Sequence, residues 1–224
     1  MSEAATLDQI VASKAAQDGF VRTCWWWIRH APVHADDGRI YGQTDLPCDC
    51  SDARVFAGLA AVLPRDAVWL TSHLGRTHQT ADAIWSAGNF GAPAAYRQDE
   101  DLAEQHLGDW QGLDRREFLM NRKQKPDSFW YAPAEERAPN GESFVDLVER
   151  VGAAIARATQ AHQGRDIVAV VHGGTIRAAL TIALGLPPRG GFAFMIDNCS
   201  LTRLDHYQGP QSSGWRVKMV NHRP

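Results

Sequence analysis

The run Cys24-Trp25-Trp26-Trp27-Ile28, followed at once by Arg29-His30-Ala31-Pro32, constrains the fold more than any other stretch. So short a block of bulky apolar residues reads as a strand buried on both faces rather than as a helix. Its consecutive indoles suit a core better than a ligand platform. The apolar run stops at Arg29-His30, and Pro32 lacks the N–H that a continuing ladder needs. A guanidinium and an imidazole thus arrive together at the carboxyl end of a core strand, where open α/β sheets build their crevices. Arginine offers a planar fork of donors matched to phosphate oxygens. The adjacent histidine can be nucleophile, base or donor.

The rest of the chain alternates in type. Leu7, Ile10, Val11 and Ala15 predict a short helix over residues 7–16. A polar, Gly- and Asp-rich loop fills 34–45. Ser51 is placed to cap a helix over 52–63, with Val55, Leu59 and Val62 on one face. Val68-Trp69-Leu70 is a second buried strand, ending in Thr71-Ser72-His73. A helix follows over 75–85 with Arg76 in its first turn. Tyr96 marks a weaker strand, and the glycine-punctuated segment 102–112 carries Glu104 and His106. Residues 113–138 mix charges with Phe118, Leu119, Phe129, Trp130 and Tyr131, as in a helical insertion or lid. Ser143 and Asp146 resemble a capping box that opens a helix closing near Gly164. Residues 167–171 form the clearest buried strand and run into His172-Gly173-Gly174-Thr175, followed by a helix to Leu184. Residues 192–196, 201–204 and 215–220 read as strands at the sheet edge. The pattern predicts a three-layer α/β/α sandwich with a mainly parallel sheet. Its organisation is an N-terminal extension over 1–23 and a single domain over 24–224, with the insertion lying over the site.

Bulk properties narrow the partners. A chain of 224 residues buries a sizeable core as one domain. A net charge of -3 offers no basic stripe for nucleic acid and no attraction to an anionic membrane. An anionic ligand therefore needs a local cationic cluster. Four cysteines are too few for a disulfide framework, and Cys48-x-Cys50 lacks zinc-knuckle spacing, so reduced thiols and a cytoplasmic location are expected. Residues 1–23 have scattered charges and do not read as a signal peptide. No stretch is long enough for a membrane span. The edge strands near the end of the chain could pair with a second subunit to make a homodimer.

Three strands end in reactive residues: Arg29-His30, Ser72 with Arg76 just beyond, and His172-Gly173-Gly174. In a parallel sheet these ends share one edge. Singly, each has an ordinary structural use, such as a loop start, a helix-end ion pair or a capped histidine. Jointly, two arginines and two histidines suit a phosphoryl group, whose charge spreads over several oxygens.

These residues also carry a resemblance. Arg29-His30-Ala31 resembles the Arg-His-Gly signature of the histidine phosphatase superfamily. Gly38-Arg39-x-Tyr41-Gly42-x-Thr44-Asp45-x-Pro47 is similar to the loop that follows it in that family. Ser72-x-Leu74-x-Arg76-Thr77, Leu102-x-Glu104-x-x-x-Gly108-x-Trp110-x-Gly112, Asn140-Gly141-Glu142-Ser143 and Val171-His172-Gly173-Gly174-x-x-Arg177 complete the series in order. The match runs from about residue 24 to residue 205.

The resemblance implies that His30 attacks phosphorus, that Arg29, Arg76 and His172 hold the phosphoryl oxygens, and that Glu104 is the acid and base. It implies substrate contacts at Gly42, Gln43, Thr44, Gly173 and His106, with no metal or other cofactor. The partner implied is a small phosphomonoester. Ala31 departs from the family's glycine, which matters if the backbone there needs positive φ. Asp36 falls where mutases of the family carry an asparagine, and a carboxylate there would repel phosphate. The first reading is a phosphomonoesterase, closest in motif to α-ribazole phosphatases. The alternatives are a cofactor-dependent phosphoglycerate mutase, disfavoured by Leu107 where mutases carry tyrosine, and a regulatory protein impaired by Ala31.

Overall fold

The computed structural model describes residues 6–93, 96–123, 126–127 and 129–224. Its helices are α1 (Leu7–Gln17), α2 (Ala53–Val62), α3 (Gly75–Ala87), α4 (Arg115–Asn121), α5 (Phe144–Ala161) and α6 (Gly173–Leu184). Its strands are β1 (Val21–Arg29), β2 (Val68–Thr71), β3 (Tyr96–Gln98), β4 (Asp166–Val171), β5 (Leu201–Gln208) and β6 (Ser213–His222). They form one six-stranded sheet in the order β3-β2-β4-β1-β5-β6. β1, β2, β3 and β4 are mutually parallel, whereas on one side β5 pairs antiparallel with β1, and β6 antiparallel with β5. The expected α/β fold with a mainly parallel sheet is the observed one.

Strand alternation sorts the tryptophans between two cores. Trp25 and Trp27 stack at 4.6 Å, their planes nearly parallel at 8°, in the core shared with Phe144, Leu147 and Val151 of α5 and Ile176 and Leu180 of α6. Trp26 points the other way, with Trp69, and meets Phe56 and Leu59 of α2 and Ile84 and Trp85 of α3. Helices therefore cover both faces, and β1 lies between them. The Trp25 indole N–H donates to Thr159 Oγ1 at 3.0 Å and that of Trp26 to Asp166 Oδ1 at 2.8 Å.

Local signals place most boundaries. Ser143 caps α5, with Asp146 completing the box. Gly185 ends α6 in the left-handed region at φ 60°. Two expectations need correction at α2 and β1: the cap of α2 is Asp52, not Ser51, because Asp52 accepts the Arg54 N–H, and β1 begins at Val21, three residues early, because β5 pairs with it that far. A larger correction concerns 192–196. Pro188–Ala193 forms 3₁₀ turns, and the carbonyls of Phe194 and Ile196 are taken by arginines instead of a ladder. Gly191 packs so closely on α6 that a Cβ would stand 2.5 Å from Thr181 Oγ1.

Within the insertion, Asp114 caps α4 by accepting the N–H groups of Arg116 and Glu117. Trp110, Leu107, Ile40, Ala132 and Ala138 form a third small core, against which Phe118 and Tyr131 pack. Parts of the predicted insertion, 124–125 and 128, lie outside the described residues. Among the described residues, no helix is long and apolar enough to cross a membrane.

The stacked pair should dominate the larger core. Trp27→Ala is expected to cost about 3–5 kcal/mol, seen as a lowered urea midpoint at unchanged slope. A loss below about 1 kcal/mol would show that the stack packs no better than the surface.

Candidate active site

His30 sits one residue beyond β1, and its backbone is pinned on both sides. Its N–H donates to Val171 O at 2.9 Å, while its carbonyl accepts from Asn198 Nδ2 at 2.8 Å. The side chain is 1% exposed. His30 Nδ1 lies 2.7 Å from Ala31 O. A carbonyl only accepts, so Nδ1 carries the proton and a neutral ring keeps its lone pair at Nε2. Burial, then the Arg76 and Arg29 guanidiniums, hold this imidazole well below the usual histidine range. The Ala31 hydrogen bond opposes them only in part. Ala31 itself is fully buried and lies outside the positive-φ region. Its N–H donates to Thr80 Oγ1 at 2.9 Å, so replacing glycine costs no backbone strain here.

Arg76, in the first turn of α3, is completely buried. Its guanidinium donates to Gly42 O at 2.7 Å and Thr44 O at 2.9 Å, and stacks over the Tyr41 ring at 5.2 Å. The loop of 41–45 is thus wrapped around a cation through its carbonyls. Gly42 makes the wrapping possible: φ is +46°, and a Cβ would stand 2.4 Å from Gln111 Oε1.

His172 is the N-cap residue of α6 and is also completely buried. Its Nε2 is 2.8 Å from Ser72 Oγ, and its ring centroid lies 5.2 Å from that of His30. Burial, then Arg76, His30 and Arg29, lower its basicity. Arg29 donates to Ile196 O at 2.6 Å. Arg29 Nε, Arg76 Nε and His172 Nδ1 are buried without a hydrogen-bond partner among the described residues.

Glu104 meets the first turn of α6 from the other side. Its two carboxylate oxygens accept the Gly174 N–H at 3.1 and 3.3 Å, and Oε1 also accepts the Gln105 N–H at 3.0 Å. The helix dipole favours a negative group there. A Cβ on Gly174 would lie 2.2 Å from Glu104 Oε1, so only glycine admits this contact.

The structure therefore brings Arg29, His30, Arg76, His172, Gly173 and Glu104 together at the carboxyl ends of the parallel strands. Other predicted contacts have different surroundings. Gln43 donates its side-chain amide to Glu104 O at 2.8 Å, so it braces the acid's backbone. Thr44 is exposed and contributes its carbonyl to Arg76. His106 is held by its backbone, N–H to Glu142 Oε1 and carbonyl from Glu142 N–H.

Two residues, Arg177 (quoted only as a motif position) and Arg150, were given no role from the sequence. A Cβ on Gly173 would lie 3.5 Å from both Arg177 Nη1 and Arg29 Nε, which puts a third guanidinium at the site. Arg177 also donates to Phe194 O and lies over the Trp130 ring at 4.9 Å. Its place one helical turn beyond Gly173 was the available signal. Arg150 of α5 donates to the carbonyls of Asp101, Ala103 and Glu104 and pairs with Glu142, tying down the acid-bearing segment. Nothing local in the sequence marks it.

Of the cluster, Arg29 lines a cavity of about 450 Å³ together with Tyr41, Tyr131, Asn198, Asp36 and Arg115. Asp36 and Arg115 are paired there, which offsets the carboxylate's repulsion of an anion. Tyr131 and Arg115 belong to the insertion, so it does border the site. No group of three or more His, Cys, Asp or Glu among the described residues is arranged to hold a metal.

Known proteins resemble this chain in sequence and in fold. "Probable phosphoglycerate mutase GpmB" from Serratia proteamaculans (strain 568) is 29% identical over 200 residues, covering 85% of this chain and 89% of its own. The structure of mycobacterial glucosyl-3-phosphoglycerate phosphatase superposes with a TM-score of 0.72 at 26% identity, covering 90% of this chain and 99% of that one. The α-ribazole phosphatase of Shigella flexneri shares the fold at a TM-score of 0.69 and 24% identity, covering 89% and 96% of the two chains. The family model described as "Histidine phosphatase superfamily (branch 1)" matches residues 25–222. With that match over almost the whole chain, and arginines and histidines gathered at the strand ends, this protein is an enzyme of the histidine phosphatase superfamily.

Proposed function

We propose that this enzyme hydrolyses small phosphomonoesters through a phosphohistidine at His30. The observation that carries the reading is the tautomer of His30: with Nδ1–H given to Ala31 O, Nε2 is the free, neutral nitrogen, beside Arg76 and Arg29. In the first step Nε2 attacks phosphorus, the P–O bond to the leaving group breaks, and Glu104 protonates the departing oxygen. In the second, water attacks the phosphohistidine, Glu104 takes the water proton, and the imidazole is released. Arg29, Arg76 and His172 donate to the equatorial oxygens, whose charge grows in the transition state. Ser72 orients His172 by donating to Nε2, which leaves Nδ1–H for the phosphoryl group. Arginines supply the positive charge, so the scheme requires no metal. A cavity of about 450 Å³ suits a metabolite-sized leaving group, with the tyrosines and the Asp36–Arg115 pair as its walls. Because Ala31 carries no strain, it gives no reason to expect a silent site.

A mutase reading draws on the printed name of the Serratia relative and on Arg115 beside the cavity. Assay with 3-phosphoglycerate plus a trace of 2,3-bisphosphoglycerate separates the two. A phosphatase releases inorganic phosphate, and a mutase interconverts the monophosphates. A panel including α-ribazole phosphate and glucosyl-3-phosphoglycerate then ranks the leaving groups.

Three outcomes are expected. His30→Ala lowers kcat on the order of 10⁴-fold or more and abolishes trapping of a phosphoenzyme, while chelator leaves the unsubstituted enzyme unchanged. A variant that still turns over at full rate would end the scheme. Gly174→Ala pushes Glu104 from its helix N-terminus and lowers kcat for an alkyl phosphate on the order of 10²-fold. An activated aryl phosphate, whose leaving group needs no proton, should be far less affected, and equal losses would argue against Glu104 as the acid. Finally, the lowered basicity of His30 and His172 has a pH consequence. Both take up a proton less readily folded than unfolded, so stability declines as pH falls below about 6.5, the ordinary histidine value. Nitrogen NMR of the rings should show both neutral through that range. An ordinary titration would contradict the geometry.

A further inference from the structure

Cys48 and Cys50 take no part in the mechanism, yet they meet directly behind it. Their sulfurs are 3.6 Å apart. Cys48 Sγ also lies 3.3 Å from Arg76 O, 3.4 Å from Gln79 Oε1 and 3.6 Å from Thr80 Oγ1, and Cys50 Sγ lies 3.6 Å from Gln79 O. Both side chains are half-buried, whereas Cys24 and Cys199 are buried. The Cys48 thiol is lowered to about 7, chiefly by the hydrogen bond from Cys50, then by Thr80, its own backbone and the Arg76 charge, against burial. Cys50 is pushed up by its bond to Cys48 and by burial. Burial raises Cys24 to about 11 and Cys199 to about 12. The thiolate is the reactive form, so near neutral pH reactivity concentrates on one sulfur that has a second in contact with it.

We propose that Cys48 and Cys50 form an oxidation site for hydroperoxides, with Cys48 as the attacking sulfur and Cys50 as the one that closes a reversible disulfide. The Cys48 thiolate attacks one peroxide oxygen, the O–O bond breaks, and the departing oxygen takes a proton to leave as water or an alcohol. Sulfur has then lost two electrons and stands as a sulfenic acid. The Cys50 thiol attacks that sulfur, the S–O bond breaks, and water leaves with the Cys50 proton. The net change converts two thiols and one hydroperoxide into a disulfide, water and an alcohol or second water. A disulfide bond is about 2 Å long, so the sulfurs need to close only a short gap. Cys48 Sγ would then leave Arg76 O and Thr80 Oγ1. Thr80 Oγ1 also receives the Ala31 N–H and donates to Arg76 O at 2.7 Å. The dithiol is thereby two hydrogen bonds from the residue whose carbonyl sets the His30 tautomer, and its oxidation lowers turnover. That consequence rests on the phosphatase reading, while the thiol chemistry does not.

The test exposes the reduced full-length protein to stoichiometric hydrogen peroxide, then denatures it, alkylates it and maps peptides by mass. The peptide carrying Cys48 and Cys50 should lose two hydrogens and take no label, while Cys24 and Cys199 label fully, and dithiothreitol should restore both sites. Cys50→Ser should trap Cys48 as a dimedone adduct that is much weaker in the unsubstituted protein, and Cys48→Ser should leave Cys50 reduced. Aryl phosphate turnover should fall severalfold on oxidation and return with dithiothreitol. Uniform oxidation of all four cysteines, a Cys48–Cys199 bridge, or no adduct in Cys50→Ser would overturn the site. A bridge that forms without change in turnover would overturn its link to the cup, and absence of aryl phosphatase activity in untreated protein would instead count against the phosphatase reading.

Discussion

A guanidinium buried without a carboxylate pressed against it is the constraint on which this structure turns. Arg76 is sealed from water and satisfied by the carbonyls of Gly42 and Thr44, and Arg29 and Arg177 are held likewise by Ile196 and Phe194. Carbonyl dipoles solvate a cation without cancelling its charge, so the cup stays positive. A carboxylate in their place would neutralise the field that an anion must feel. Holding cations this way is expensive, and the chain offsets the cost by dedicating backbone segments to it. The loop of 41–45 wraps around Arg76, and the stretch after Pro188–Ala193 forgoes sheet pairing.

The same field sets the state of the histidines. Two arginines beside a buried imidazole oppose its protonation, and the Ala31 carbonyl decides which nitrogen keeps the hydrogen. In the proposed scheme nucleophile and phosphoryl-holders are one electrostatic unit, because the arginines that would grip the oxygens also keep the His30 imidazole neutral. Glu104 is positioned by a different device. It is fixed by N–H groups at the start of α6, with Gly174 leaving room and Arg150 anchoring the segment behind it.

Much of this was legible in the chain because strand ends are sharply marked. The apolar runs of β1, β2 and β4 stop at polar residues, and parallel pairing brings those ends together regardless of loop detail. The capping box at Ser143 and the glycine after α6 follow equally local rules. Where the reading failed, the competing cause was tertiary. Phe194 and Ile196 have strand-like side chains, but their carbonyls serve arginines from β1 and α6. Asp52 displaced Ser51 as a cap by a difference of one residue in backbone geometry. Gln43, a substrate contact by resemblance, has in addition a bracing bond to the Glu104 carbonyl that no local pattern announced.

By itself, the order of residues determined the fold class, the two-faced burial of β1 and the gathering of Arg and His side chains at one edge, since periodicity and strand termini are properties of short windows; Glu104 entered through the resemblance. Only the folded chain decided which nitrogen of His30 is free, that Ala31 is unstrained, and that Arg177 and Arg150 join the site. It also decided that Cys48 touches Cys50 behind Arg76. Those features depend on how the loop of 41–50, α3, α6 and the stretch of 194–198 pack around the end of β1, and no local pattern encodes that packing.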